Sequence, residues 1–494
     1  MIALTLEEIA DITGGTLHDV PDPQAQVTGF VEFDSRKVTQ GGLFIALPGA
    51  RVDGHDFAAT ALAQGAVAVL AARPVGGPAI VVAPVPVPEG DNADLYANDP
   101  DGSAAAVVGA LSALATAVVS RLVKEHNLTV VAITGSAGKT STKDLIASVL
   151  RTAGETVAPP GSFNNEIGHP YTALRCDRDT RFLVAELSAR GIGHIAHLTQ
   201  IAPPQIGAVL NVGSAHIGEF GSRENIARAK GELVESLPAA GERGVAIRNA
   251  DDPFVAAMAP RTEARVVTYS TEGTADYWAS GIRLDDVARA SFLLHAPGEE
   301  PVPVTLQVFG AHQVSNALAA AAVGIEAGLS LRQVAEGRNG HHTTSAHRMD
   351  VSTRADGVTV INDAYNANPD SMRAGIAALA YTAAARPEAR AIAVLGEMSE
   401  LGEGELAAHR ALGGELARHH IDHLIVVGTG ENCRAMATEA EKQGITTEIA
   451  SDMDAATGHV ATLLGASAAN DVVLVKASNA QGLWRVAEAL LKDG

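Results

Sequence analysis

The chain has 494 residues, 47% hydrophobic and 19% charged, with aromatic residues at only 4% and a net charge of −21. A single core rarely grows past about 250–300 residues, so two to four domains are expected. The acidic balance argues against nucleic acid and anionic membranes as general partners, while leaving room for a small basic pocket that takes an anionic substrate.

At the N-terminus the sequence turns acidic within eight residues, without a basic segment followed by a long apolar run, so it does not read as a signal peptide. No stretch reads as reaching the ~18–20 apolar residues of a membrane span. Residues 1–84 alternate short apolar strands with turns, and 67–70 and 79–82 are expected to be buried strands. Residues 84–103, rich in Pro, Gly, Asp and Asn, read as a loop or linker. An Ala-rich helix is expected over 104–124. An α/β pattern then begins, with strands predicted at 128–134, 182–185, 208–212 and 245–247 and a helix over 140–151. Between 265 and 309 the pattern shifts toward alternation, which suggests an antiparallel extension of the central sheet. A helix follows over 314–328. Beyond residue 348, strands at 358–361, 392–395, 424–427 and 472–475 alternate with helices, the signature of a mainly parallel, doubly wound sheet. The two cysteines, Cys176 and Cys433, lie far apart and form neither metal spacing nor a disulfide framework, which points to a reducing cytoplasm.

The strongest motif is Gly135-Ser136-Ala137-Gly138-Lys139-Thr140-Ser141, between a predicted strand and a predicted helix. Glycines let the backbone curl so that several N–H groups converge on phosphate oxygens, and the helix N-terminus adds partial positive charge. Lys139 is placed to reach the outer phosphates of ATP, and the Thr140 hydroxyl to bind Mg²⁺. The two glycines are separated by two residues rather than the usual four.

This short loop resembles that of the Mur ligase superfamily, which also contains folylpolyglutamate synthases. Further segments narrow the resemblance to the MurF branch. They are Phe163-Asn164-Asn165-Glu166-Ile167-Gly168-His169-Pro170, Asn211 to His216, Ala229-Lys230-Gly231-Glu232, His312 to Ala320, and above all Asp363-Ala364-Tyr365-Asn366-Ala367-Asn368-Pro369. Near the N-terminus, Asp34-Ser35-Arg36 and Asp53 to Phe57 are similar to the UDP-sugar domain shared by the MurE and MurF branches. The resemblance implies three α/β domains: an N-terminal UDP-sugar domain (1–103), a central phosphate-loop ATPase domain (104–347) and a Rossmann-like C-terminal domain (348–494) binding the incoming dipeptide. It implies an ATP-dependent ligase that joins D-alanyl-D-alanine to UDP-N-acetylmuramoyl-tripeptide through an acyl phosphate, acting in the cytoplasm as a monomer.

The resemblance also implies residue roles. Glu186 and His216 are expected at the Mg²⁺ sites. Lys230, which by composition alone is a solvated helix lysine, would be carbamylated and become a carboxylate-like metal ligand. His312 and Asn316, four apart on one helix face, would stand by the nucleotide, as would Arg348, Asp363 and Tyr365. Ser35 and Arg36 are expected at the UDP moiety, Asn164 and Asn165 at the peptide of the precursor, and Asn366, Asn368 and Lys476 at the dipeptide. Plain alternatives exist for each: exposed turns for Ser35, Arg36, Asn366 and Asn368, a polar loop for Asn164 and Asn165, and helix packing for His312 and Asn316. The sequence departs from the family at Lys476-Ala477-Ser478-Asn479, where Asn479 holds a position usually occupied by Arg. Two other readings compete: another ligase branch, such as MurE or folylpolyglutamate synthase, and a UDP-sugar sensor without catalysis. The Tyr365 to Pro369 segment argues against the first, and the joint presence of Lys139, Thr140, Glu186, His216 and Lys230 against the second.

Overall fold

The computed structural model describes residues 1–49, 52–87, 96, 99–213, 217–339, 346–465 and 470–492. Its strands gather into three main sheets that follow one another along the chain. In the N-terminal region, β1 (Leu4–Thr5) pairs with β3 (Gln26–Val27). A separate five-stranded sheet has the order β2 (Thr16–His18), β7 (Ala79–Val81), β6 (Ala66–Ala71), β5 (Gly42–Ile45), β4 (Val31–Glu32). That sheet is parallel apart from the β2–β7 pair.

The central sheet uses β8 (Thr129–Thr134), β9 (Glu155–Val157), β10 (Thr180–Glu186), β11 (Ile206–Val209), β12 (Val245–Asn249), β13 (Arg265–Ser270), β14 (Tyr277–Leu284), β15 (Arg289–His295) and β16 (Val302–Phe309). Their order is β16-β15-β14-β13-β12-β11-β8-β10-β9. All neighbours from β9 to β14 are parallel, and the antiparallel extension starts at β14–β15, so β13 still belongs to the parallel part. The C-terminal sheet has the order β17 (Asp350–Thr353), β18 (Thr359–Asn362), β22 (Val472–Lys476), β19 (Ala391–Leu395), β20 (His423–Val427), β21 (Thr446–Ala450), and only β17–β18 is antiparallel.

Parallel strands with both faces covered read as continuous apolar runs. Accordingly Val130 and Ala132 of β8 lie in one core and Val131 and Ile133 in another, on opposite faces of the sheet. The first of these cores is continuous with Leu4, Ile9, Leu43 and Leu70 of the N-terminal region, so the two regions share buried apolar surface. The C-terminal sheet is likewise sandwiched between two cores.

Two sequence expectations need correcting here. The helix Ser103–His126 is 24 residues long and apolar enough to cross a bilayer, so a stretch of spanning length does exist. Its Val, Leu and Ala side chains instead form part of the shared core, against the helices Leu6–Thr13 and Gly168–Ala173. The strand expected at 208–212 covers Ile206–Val209, because Leu210 onward turns toward the phosphate loop. The linker expected at 84–103 lies largely outside the described residues; where described, Val85 N donates to Gly102 O and Asp99 caps the helix that follows.

Candidate active site

The phosphate loop leaves the C-terminal end of β8, the usual place for ligands in an open α/β sheet. Gly138 caps the helix Lys139–Arg151 with a left-handed φ of +79°. A β-carbon there would stand 2.7 Å from Asn316 Oδ1, so the missing side chain lets the loop dock on the helix Gln313–Glu326. Asn211 holds the loop curled. Its carbonyl accepts from Ser136 N (3.1 Å), its Oδ1 from Ala137 N (2.8 Å), and its Nδ2 donates to Ala137 O (3.0 Å). Lys139 Nζ folds back to donate to Gly135 O at 2.7 Å. Burial within the loop pulls the Lys139 pKa down, Glu186 opposes that pull, and Arg348 adds to it.

Behind the loop lies the acidic centre. Glu186 ends β10, and its Oε1 accepts from Asn164 Nδ2 at 2.8 Å and from Thr140 Oγ1 at 3.2 Å. Its Oε2 is buried and has no hydrogen-bond partner among the described residues. A buried carboxylate oxygen left alone is costly, and a bound cation removes the cost. Glu186 and Thr140 are hard oxygen donors of the kind Mg²⁺ takes, so the residues fit that ion. No cluster of three or more His, Cys, Asp or Glu is found among the described residues. Thr140 and Glu186 leave coordination positions over, and Mg²⁺ usually keeps water and substrate phosphate among its ligands.

Lys230 corrects the reading from composition. On the helix Arg223–Glu235 it is only 3% exposed, not solvated. Burial, and then repulsion from Lys139, push its pKa well below that of an ordinary lysine. Desolvation disfavours the charged form of a buried amine. His216 lies outside the described residues, as do His341 and His342.

The C-terminal region closes the cleft from the other side. Arg348 Nη2 donates to Ser162 Oγ (3.0 Å), which itself stands 3.0 Å from Thr140 Oγ1, while the guanidinium lies 4.0 Å over the Tyr365 ring. Asp363 is pinned by Met349 N (3.1 Å) and by the ammonium of Lys476, which also donates to Asn366 O at 2.9 Å. Lys476 is thus an internal strut of the Asp363–Asn366 turn. Asn368 is the N-cap of the helix Pro369–Ala384, in a reciprocal pair with Ser371. His312 is the N-cap of the helix Gln313–Glu326, its carbonyl accepts from Asn316 N at 3.4 Å, both residues line the cleft, and burial lowers the pKa of His312.

These groups enclose a cleft of about 510 Å³ lined by Ser136 to Ser141, Asn164, Glu186, His312, Asn316, Arg348, Asp363, Tyr365, Asn366, Asn368 and Lys476. That volume suits a nucleotide or similar ligand. The lining also includes Asn211, Ser162, Arg190 and Glu400, which sequence reasoning missed. A signal existed for Asn211, a polar residue just past a buried strand; Arg190 and Glu400 meet only through folding.

Gly135 shapes the loop, since a β-carbon there would be 2.9 Å from Leu210 Cβ. Asn165 caps a turn, accepting from Gly168 N at 2.9 Å. Ser35 is buried, and Arg36 is exposed and paired with Asp34 at 2.9 Å; neither lines the cleft. Beside them, Phe33 stacks near Phe163 and Tyr171, and Glu32 accepts from Tyr171 Oη (3.0 Å) and Arg175 (2.7 Å). These contacts tie the N-terminal sheet to the loop that carries Asn164.

A curled phosphate loop, a strand-end carboxylate and an arginine reaching across from a third α/β layer define a nucleotide-dependent enzyme whose site is shared between domains. Three family descriptions match the chain: Mur ligase family, catalytic domain (28–131), Mur ligase middle domain (133–324), and Mur ligase, glutamate ligase domain (347–479). The chain belongs to the Mur ligase family, and within it to the MurF branch. The UDP-N-acetylmuramoyl-tripeptide–D-alanyl-D-alanine ligase of Mycobacterium tuberculosis is 54% identical, over 100% of this chain and 98% of its own length. The Escherichia coli protein of the same name is 31% identical over 100% of both. Among solved structures, MurF from Acinetobacter baumannii superposes with a TM-score of 0.83 at 28% identity, covering 99% of each chain. MurF from Thermotoga maritima, in complex with ADP, gives 0.75 at 29% identity, over 94% of this chain and 98% of that one.

Proposed function

We propose that this chain joins D-alanyl-D-alanine to UDP-N-acetylmuramoyl-tripeptide at the expense of ATP, a step in making the peptidoglycan precursor. The observation that carries the reading is the meeting, in one cleft, of the phosphate loop, the partnerless Oε2 of Glu186 and the Tyr365–Asn368 turn. In this reading the curled amides of 135–140 and Lys139 hold the ATP phosphates, with Asn316 and His312 toward the nucleoside and Arg348 bridging to phosphate from the C-terminal side. The γ-phosphoryl group passes to the tripeptide carboxylate, giving an acyl phosphate. The dipeptide amine then attacks the acyl carbon and phosphate leaves. Asn164 orients Glu186, and the closed cleft keeps water from the acyl phosphate.

Mg²⁺ would be held by Thr140 and Glu186, joined by His216 and by Lys230 if carbamylated; bound there, it neutralises charge on the transferring phosphoryl group. The lowered pKa of Lys230 favours carbamylation, because addition to CO₂ needs an unprotonated nitrogen. We assign residues 1–103 to the UDP-sugar, with Ser35 and Arg36 as contacts, 104–347 to ATP, and 348–494, with Asn366 and Asn368, to the dipeptide. The acidic surface and the two buried free cysteines support a cytoplasmic monomer that does not insert into membranes. The test is phosphate release from ATP in the presence of the UDP-linked tripeptide, with and without D-alanyl-D-alanine. Release that needs both supports the ligase; release that ignores both leaves only a phosphate-loop ATPase.

A further inference from the structure

Beyond the phosphate cleft, a smaller cavity of about 260 Å³ shares Tyr365, Asn366, Asn368 and Glu400 with it. Its remaining walls include Ser399, Ser478 and Asn479. Among the described residues, Glu400 is the one charged side chain in that lining. Asn479 is neutral, so no described residue of the wall offers a cation to a carboxylate. A cavity whose single charge is negative selects a cation.

The placement of Glu400 is specific. Its backbone is left-handed, with φ of +65°, which an L side chain rarely adopts and which tends to persist at functional positions. Two residues on, Gly402 sits against Gly218 of the central region, where a β-carbon on Gly218 would be 2.6 Å from Gly402 N. The Glu400 loop is therefore fixed against the opposite wall. There its Oε1 meets Arg190 Nη2 at 3.2 Å, in an ion pair that is more than a third exposed on both sides. Exposed pairs of this kind contribute little to stability, so the guanidinium is exchangeable. Arg190 lies four residues past Glu186 and lines the phosphate cleft, so on leaving Glu400 it stays among the phosphate-binding groups.

We propose that Glu400 receives the ammonium of the incoming dipeptide and that Arg190 is its placeholder. The exchange is one cation for another, so the carboxylate stays paired before and after the dipeptide arrives. It places the amine at the neck between the two cavities, facing the phosphate loop, and frees Arg190 toward the phosphoryl group. This assignment rests on reading the chain as a D-alanyl-D-alanine ligase.

Steady-state kinetics with ATP, UDP-N-acetylmuramoyl-tripeptide and D-alanyl-D-alanine test it on the full chain. Glu400→Gln, nearly isosteric, is expected to raise the KM for the dipeptide about tenfold or more, the scale of a lost charged hydrogen bond. Arg190→Met is expected to lower that KM, because the competing cation is gone. A latch with only a structural role loses the same ion pair in both variants and moves both KM values the same way; that result, or an unmoved KM in Glu400→Gln, overturns the proposal. D-Lactyl-D-alanine, with a hydroxyl in place of the ammonium, gives a second measurement on the unaltered protein. It is expected to inhibit about tenfold more weakly than the dipeptide binds, and equal potency overturns the assignment. If unaltered protein turns over without any dependence on the dipeptide, the ligase reading itself fails, an outcome separate from these.

Discussion

A β-carbon at Gly138 meets Asn316 Oδ1 at 2.7 Å and must also accept a φ of +79°. The left-handed conformation alone costs about 1–2 kcal/mol for an L residue, enough for roughly a tenfold loss in binding. Gly138→Ala is therefore expected to raise the KM for ATP at least about tenfold while leaving the circular-dichroism spectrum of the fold unchanged; an unmoved KM would refute a role for the tight turn. Lys230 gives the opposite trade. Its folded pKa lies well below 10.5, so in the window between that lowered pKa and the unfolded value the unfolded chain binds more protons. Stability then rises with pH across that window and is lower on its acid side. In metal-free buffer without bicarbonate, Lys230→Met is expected to raise the melting temperature near neutral pH, flatten its pH dependence and abolish turnover. Melting curves from roughly pH 7 to 10 check the sign, and a lower melting temperature throughout would count against a lowered pKa at Lys230. The burial of Lys230 was not legible in residue types: a lysine among Ala, Gly and Glu on a helix looks solvated until the packing of that helix on β11 is known.

Strands and helices were easier to read than the turns between them. The continuous apolar runs of β8, β10, β19, β20 and β22 announce themselves because both faces are buried, whereas β21, with Thr446 and Ile449 exposed, carries no such run and was not foreseen. The phosphate loop was legible from glycines, lysine and threonine in register. Its clamp was not, because Asn211 reaches the loop only through the parallel pairing of β11 with β8. The three hydrogen bonds from Asn211 hold two loop residues, Ser136 and Ala137, in the curled form. Asn211→Ala removes its two side-chain bonds and is expected to weaken ATP binding by about 1–3 kcal/mol, read by calorimetry with a non-hydrolysable analogue. The same titration on Asn165→Ala, whose side chain caps a turn away from the cleft lining, serves as the comparison. Equal effects in the two would mean that local fold and not the clamp is being measured.

At the scale of the molecule, the site exists only where separate α/β layers meet. Arg348 comes from the C-terminal side, Ser162 and Thr140 from the centre, and the Tyr365 hydroxyl stands 3.8 Å from where a β-carbon on Gly161 would be. Tyr381 Oη donating to Leu284 O at 3.0 Å, and Asp370 close to Gly213, add further contacts across the junction. These are separate local contacts, unlike the shared apolar core that joins the N-terminal and central regions. The N-terminal and central regions should therefore move as one body, and the C-terminal region as another. Arg348 is the group that links this motion to chemistry, because its Nε is buried without a hydrogen-bond partner among the described residues while its Nη2 touches the hydroxyl beside Thr140. With phosphates in the cleft, that guanidinium gains the anion its geometry awaits, and the closed arrangement gains stability over the open one. Small-angle scattering is expected to show compaction when an ATP analogue and the UDP-linked tripeptide are both added. Arg348→Ala should lose that compaction and about 10²–10³-fold in kcat, the scale of removing one preorganised charged donor. Arg348→Lys should recover little of either, since an ammonium can neither lie flat on Tyr365 nor present the rigid planar fork of donors that a guanidinium offers to phosphate. Full compaction in Arg348→Ala with a depressed kcat would place the arginine in the phosphoryl step alone and leave closure to the other junction contacts.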